Sequence, residues 1–102
     1  METENKCTVI IEATLLEGGM DMPEFKEYSE KATALGAEYG VMPVSKHMIG
    51  ENLGQGETPH VVSLVEFPSK EKAVEFMNSE EYKSLIPLRE VVFKEVKILI
   101  TK

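Results

Sequence analysis

Tryptophan is absent from the 102 residues, and cysteine and arginine occur once each, as Cys7 and Arg89. A lone cysteine excludes an intrachain disulfide and an all-cysteine metal site, and it makes the reducing cytoplasm the default location. Positive charge is scarce: eleven Lys and Arg face eighteen Asp and Glu, a net charge of −7. A surface that tracks a phosphate backbone needs clustered Lys and Arg, so nucleic acid is not an expected partner. Apolar runs are only a few residues long, far short of the ~20 needed to span a bilayer, so no membrane is expected either. The start, Met1-Glu2-Thr3-Glu4-Asn5-Lys6, is net acidic, and Glu12 interrupts the apolar stretch behind it. A secretory leader has the opposite pattern. What is present, 42% hydrophobic and 28% charged residues, suits one domain over residues 1–102 around one core.

Residues 7 to 16 alternate as a strand, with Val9, Ile11, Ala13 and Leu15 on an apolar face and Thr8, Ile10, Glu12, Thr14 and Leu16 on a half-polar one. After Gly18-Gly19, Asp21 stands three residues before Glu24, a predicted N-cap pair with Pro23 in the first turn. Met22, Phe25, Tyr28, Ala32, Leu35 and Tyr39 then form one buried helical stripe, which Gly36 or Gly40 ends. In residues 41 to 49, Val41, Pro43, Ser45, His47 and Ile49 alternate with Met42, Val44, Lys46 and Met48. Pro43 cannot donate to a ladder, so this strand belongs at a sheet edge. A glycine-rich loop over 50 to 59 leads to an apolar strand at 60 to 67. Ser69 is the predicted cap of a second helix, and Ser79 of its continuation through Tyr82, Leu85 and Ile86, which Pro87 ends or kinks. Residues 91 to 100 form the last strand, with Val92, Val96, Ile98 and Ile100 on one side, and Phe93 and Leu99 on the other if it keeps phase. Lys94, Glu95 and Lys97 suit an exposed edge.

The order β-α-β-β-α-β, with right-handed crossovers, specifies an α+β ferredoxin-like antiparallel sheet of strand order 4-1-3-2 with two helices on one face. The two most apolar strands fall at the centre, and those with proline or charge at the edges.

Glu66-Phe67-Pro68-Ser69, then Asn78-Ser79-Glu80-Glu81-Tyr82, then Leu88-Arg89 resembles a family of small uncharacterised bacterial proteins. That domain-of-unknown-function family is placed in the dimeric α+β-barrel superfamily, beside antibiotic-biosynthesis-type monooxygenases and muconolactone-isomerase-like proteins. The resemblance is closest over residues 60 to 100; Phe25, Tyr28 and Gly40 fit it more loosely. It implies the fold and a homodimer, and no established chemistry. Members often carry a Gly-Gly and an arginine entering the second strand, where this chain has Gly40-Val41-Met42-Pro43.

In such a dimer the helix-free sheet face lines a cleft. Glu12 and Glu66 lie in the central strands on that face, and a carboxylate pair at low dielectric can divide general acid and base roles. His60 and His47 reach the same cleft if their strands keep register. Two histidines and one carboxylate make a metal set in principle, but no local spacing such as H-x-x-x-H supports it, and neither metal nor any other cofactor is expected. The related haem-binding barrels lead one to expect a helical histidine, and neither histidine lies in a predicted helix. Tyr82 and Arg89 are candidates to hold an anionic or phenolic ligand near the barrel mouth. Their plainer role is structural: the tyrosine ring packs, and the arginine meets carbonyls at a helix end. The glycine-rich loop lacks a Lys-Ser or Lys-Thr close and opens no helix, so it is not a phosphate loop.

Two functions remain open. One is a cofactor-independent enzyme acting on a small apolar or aromatic molecule, which needs a closed cavity holding Glu12, Glu66 or a histidine. The other is a non-catalytic ligand-binding or regulatory dimer. RNA-recognition domains share the topology but carry aromatics mid-strand on the first and third strands, where this chain has Val-Ile-Ile and Val-Val-Ser-Leu-Val.

Overall fold

The computed structural model describes residues 6–102; the acidic start at residues 1 to 5 lies outside them. The elements are β1 (Cys7–Leu15), α1 (Pro23–Glu38), β2 (Met42–Met48), β3 (Val61–Phe67), α2 (Lys70–Asn78), α3 (Glu80–Lys83), α4 (Ile86–Val92) and β4 (Phe93–Ile100). All pairings are antiparallel and the order is β2-β3-β1-β4, the expected 4-1-3-2 seen from the other edge. Pro43 is on an edge strand, as its missing N–H requires.

The helical layer covers the face that carries Cys7, Val9 and Phe67. Leu35 of α1, Ala73 and Phe76 of α2, Tyr82 of α3 and Leu85 close over these residues to form the core. Val9 and Val92 are the most completely buried, at 1% and 0% exposure. Among the described residues no helix is long and apolar enough to cross a membrane.

Helix α1 ends as its glycines suggest and begins otherwise. Asp21 falls in a 3-10 turn, and Met22, extended at φ −79° and ψ 141°, is the N-cap with no side-chain capping bond. Proline drives the residue before it out of the helical region, so Pro23 sets the boundary at Met22. Gly40, at φ +78°, is the terminator rather than Gly36. Its N–H reaches the Ala37 carbonyl at 3.1 Å and the Val41 N–H reaches that of Gly36 at 3.0 Å, a Schellman closure.

The second connection is three short helices. Ser69 Oγ accepts from Lys72 N–H and Ser79 Oγ from Tyr82 N–H, each at 3.1 Å, as expected. Pro87 does not end the helix; it sits in the first turn of α4, where its missing N–H costs nothing. Val91 and Val92 are therefore helical, and the last strand starts at Phe93. Burial of Val92 outweighs the strand preference of a β-branched pair.

Two register shifts alter the faces. One, between Thr14 and Leu15 on β1, sets Phe93 opposite Leu15 on the helix-covered side. There Phe93 meets the rings of Phe25 and Tyr28 at 6.0 and 5.6 Å, so it does not share the open face with Leu99. The other, between Pro43 and Ser45, leaves Pro43 opposite Val65 on the helix side but pairs Ser45 with Leu64 and His47 with Val62 on the open face. Lys46, opposite Ser63, thereby faces the helices.

Candidate functional site

The helix-free face consists of cross-strand rows. One holds Ser45, Leu64, Ile10 and Leu99; the next holds His47, Val62, Glu12 and Lys97. Glu66 lies opposite Thr8, four residues along β1 from Glu12. At about 3.3 Å per residue that separates the two carboxylates by roughly 13 Å, so they do not form the expected acid–base pair. Glu66 instead lies 3.8 Å from Lys6 Nζ. Glu12, Thr14, Glu95 and Lys97 border an open depression of about 280 Å³ with Glu57 and Pro59.

His60 is held at the end of β3. Its N–H donates to the Ala13 carbonyl at 2.8 Å, and its Nδ1 accepts the Leu15 N–H at 2.9 Å. A ring nitrogen that accepts a backbone bond beside a strand end holds that end in register, which accounts for His60 structurally. His47 stands one row further in, on the outermost strand. Among the described residues no three His, Cys, Asp or Glu side chains are grouped to hold a metal ion.

A larger cavity, about 510 Å³, lies on the opposite side, between α1 and the sheet. Helix α1 packs on α4, and its Leu35 reaches the core on the sheet. Val9, Ile11, Ile98 and Ile100 form the cavity floor, and Phe25 and Ala32 are among the α1 residues above. Its polar end is Tyr28. The Tyr28 and Tyr82 hydroxyls are 2.9 Å apart, and Arg89 Nη1 donates to the Tyr82 oxygen at 2.9 Å. The Arg89 guanidinium also lies 5.9 Å from the centre of the Tyr82 ring, within cation–π range.

Each member of this chain is held by a different element. Ser79 caps the turn that carries Tyr82, whose ring packs 5.2 Å from that of Phe76. Arg89 comes from the last turn of α4, where a cation complements the carbonyl end of the helix. Tyr28 comes from α1, braced edge-on against Phe93. Burial holds its hydroxyl well above the ordinary phenol range; Tyr82 adds to this and the Arg89 charge partly offsets it. Tyr28 is therefore a neutral hydrogen-bonding phenol and not a base.

The structure thus joins Tyr82 and Arg89, two of the expected ligand contacts, and adds Tyr28, which its helical periodicity marks only as core. A polar tip on a buried stripe was the available signal, but nothing local shows that its partner lies 54 residues away. Glu12, Glu66, His47 and His60 are not among the residues lining this cavity.

Several solved structures share the fold at identities too low to carry function. A Rhodopseudomonas palustris protein of unknown function aligns with TM-score 0.80 and 15% identity over 98% of this chain and 83% of its own. A dimeric, ferredoxin-like protein of unknown function from Bacteroides fragilis aligns with TM-score 0.61 and 15% identity, over 95% of each chain. SnoaB, a cofactor-independent oxygenase from Streptomyces nogalater, aligns with TM-score 0.63 and 10% identity over 96% of this chain and 94% of its own. No curated protein matches the sequence. The model of a domain of unknown function, DUF1330, matches residues 18–102, from the turn before α1 to the last residue, and the chain belongs to that family.

Proposed function

We propose that the protein binds a small, largely apolar or aromatic molecule in the cavity between α1 and the sheet. The observation that carries this reading is a largely apolar, partly open cavity of about 510 Å³ whose polar lining includes the Tyr28–Tyr82 hydroxyl pair, which Arg89 backs from outside the cavity. Few converging polar groups in an apolar hollow are the usual form of a small-molecule site. With Arg89 donating to Tyr82, and Tyr82 to Tyr28, one hydroxyl hydrogen is left at Tyr28 to turn toward the cavity. The ligand would then present an acceptor oxygen there.

Binding is favoured over acid–base catalysis because no carboxylate or histidine lines the chamber. Cofactor-free turnover is the second reading, supported by the fold shared with an oxygenase; Tyr28 would then stabilise a developing oxyanion. The functional unit in our reading is a homodimer closed over the helix-free face. Support comes from the apolar row of Ile10, Leu64 and Leu99 on that face and from the dimeric Bacteroides fragilis neighbour.

Methyl NMR separates the two faces. Titration with a panel of naphthols and hydroxynaphthoates should shift Ile11, Ile98 and Ile100, on the cavity floor, and leave Ile10 and Leu99 in place. Shifts confined to the open-face methyls would overturn the cavity reading. Oxygen uptake in the same samples decides between binding and turnover.

A further inference from the structure

A chain of net charge −7 would be expected to surround a random hollow with carboxylates. Among the described residues none lines this cavity, and the charged residue on its lining is Lys46. The placement of Lys46 results from the register shift between Pro43 and Ser45. Unbroken alternation from Pro43 would have turned Lys46 to the open face; the extra residue turns it to the helices, beside Ser45 and Val44 at the β2 side of the cavity. Among the described residues no carboxylate pairs with it, as with Lys70, Lys83 and Lys97, whereas Lys26, Lys31, Lys72 and Lys94 each have a glutamate partner; what sets Lys46 apart is its place on the cavity lining.

Tyr28 marks the other end. Its ring packs on Phe93 of β4, whereas Lys46 belongs to β2 at the opposite edge of the sheet. Three strand spacings across the sheet and four residues along it, since Lys46 shares the row of Ile11 and Phe93 is opposite Leu15, set the backbones of Lys46 and Phe93 roughly 19 Å apart, a span that the long Lys46 and Tyr28 side chains reach into from either end. Between them the floor passes from Ser63, next to Lys46, to the apolar Ile11 and Ile98.

We infer that the ligand is an organic acid with oxygen at both ends of an apolar body, its carboxylate at Lys46 and its carbonyl or phenolic oxygen at Tyr28. This rests on the cavity reading and narrows its ligand class. Lys46 selects for the acid over its neutral counterpart. The lysine is exposed, and exposed ion pairs contribute little, up to about 1 kcal/mol, or about fivefold in affinity.

The test uses 6-hydroxy-2-naphthoate and its methyl ester, rigid fluorescent probes with the two oxygens at opposite ends. The acid should bind the wild-type protein about three- to fivefold more tightly than the ester. Lys46→Gln should abolish that preference by weakening the acid alone, and the wild-type preference should shrink in high salt. Lys46 is exposed on an edge strand, so the variant should fold normally, which an unchanged thermal midpoint would verify. Equal affinity for acid and ester, unaltered in Lys46→Gln, overturns the inference and leaves the cavity reading standing. Absence of binding by both probes overturns both.

Discussion

Tyr28 lies on the buried stripe of α1, yet its hydroxyl meets Tyr82 at 2.9 Å. Because its folded-state proton affinity is raised above the ordinary phenol value of 10.0, the native protein holds a proton that the unfolded chain releases above that pH. The associated stability is complete below about pH 10 and is lost as pH rises further, at up to about 1.4 kcal/mol per pH unit. Tyr28→Phe should cost about 1 kcal/mol at neutral pH through the lost hydrogen bond. Its stability should also fall less steeply above about pH 10 than that of the wild type. Urea unfolding of both proteins on either side of that pH checks the sign; parallel curves would contradict the burial of the hydroxyl.

Gly40 poses a different single-residue constraint. Its φ of +78° strains any L side chain, and a Cβ there would stand 2.9 Å from Pro68 Cγ. Gly40→Ala should therefore destabilise by about 1 to 2 kcal/mol, read as a lower denaturation midpoint at unchanged m-value.

At the scale of elements, the two serine caps test which part of the second connection serves the cavity. Ser69 and Ser79 cap α2 and α3 through bonds of equal length, so replacing either by alanine should cost about 1 kcal/mol. Only Ser79 holds the turn that carries Tyr82, and its Oγ also donates to the Phe76 carbonyl at 2.7 Å. Ser79→Ala should weaken binding of a naphthoate probe where Ser69→Ala does not; equal losses would remove the positioning role. Both caps were legible because a serine before a helical run acts on backbone groups within three residues. Pro87 was not, since proline stops one helix and starts another by the same missing N–H and fixed φ. What decides between them is the tertiary packing of α4 against α1, together with the burial of Val92.

At the scale of the molecule, the proposed dimer would close over the open sheet face. Four strands about 4.8 Å apart and about 20 Å long give roughly 400 Å². A stable interface buries nearer 800 Å² per partner, so further exposed apolar residues must contribute, among them Met42, Val44 and Met48 of β2 and Leu53 of the following loop. Sedimentation at micromolar concentration should give a dimer. Leu64→Asp, which puts an unpaired charge on the open face, should dissociate it and lower the denaturation midpoint. Lys83→Asp, on an exposed helical turn, should change stability by no more than about 0.5 kcal/mol. A strictly monomeric wild type would remove the dimer from the proposal.

The sequence by itself determined the element order, the central and edge strands, a glycine end for α1 at Gly36 or Gly40, and the serine caps. Each follows from period-two or helical apolar spacing, or from side chains acting on backbone a few residues away. The tertiary structure decided which residues share a site. Glu12 and Glu66 look alike in the pattern, but antiparallel register sets them four residues apart along one strand. Lys46 and Phe93 change faces at register shifts, where one added residue inverts the alternation and leaves no mark in composition. The cavity and its Tyr28–Tyr82–Arg89 end depend on where α1 stands relative to the sheet. Helix α1 is held in part by its packing on α4, a contact between distant parts of the chain that no local pattern encodes.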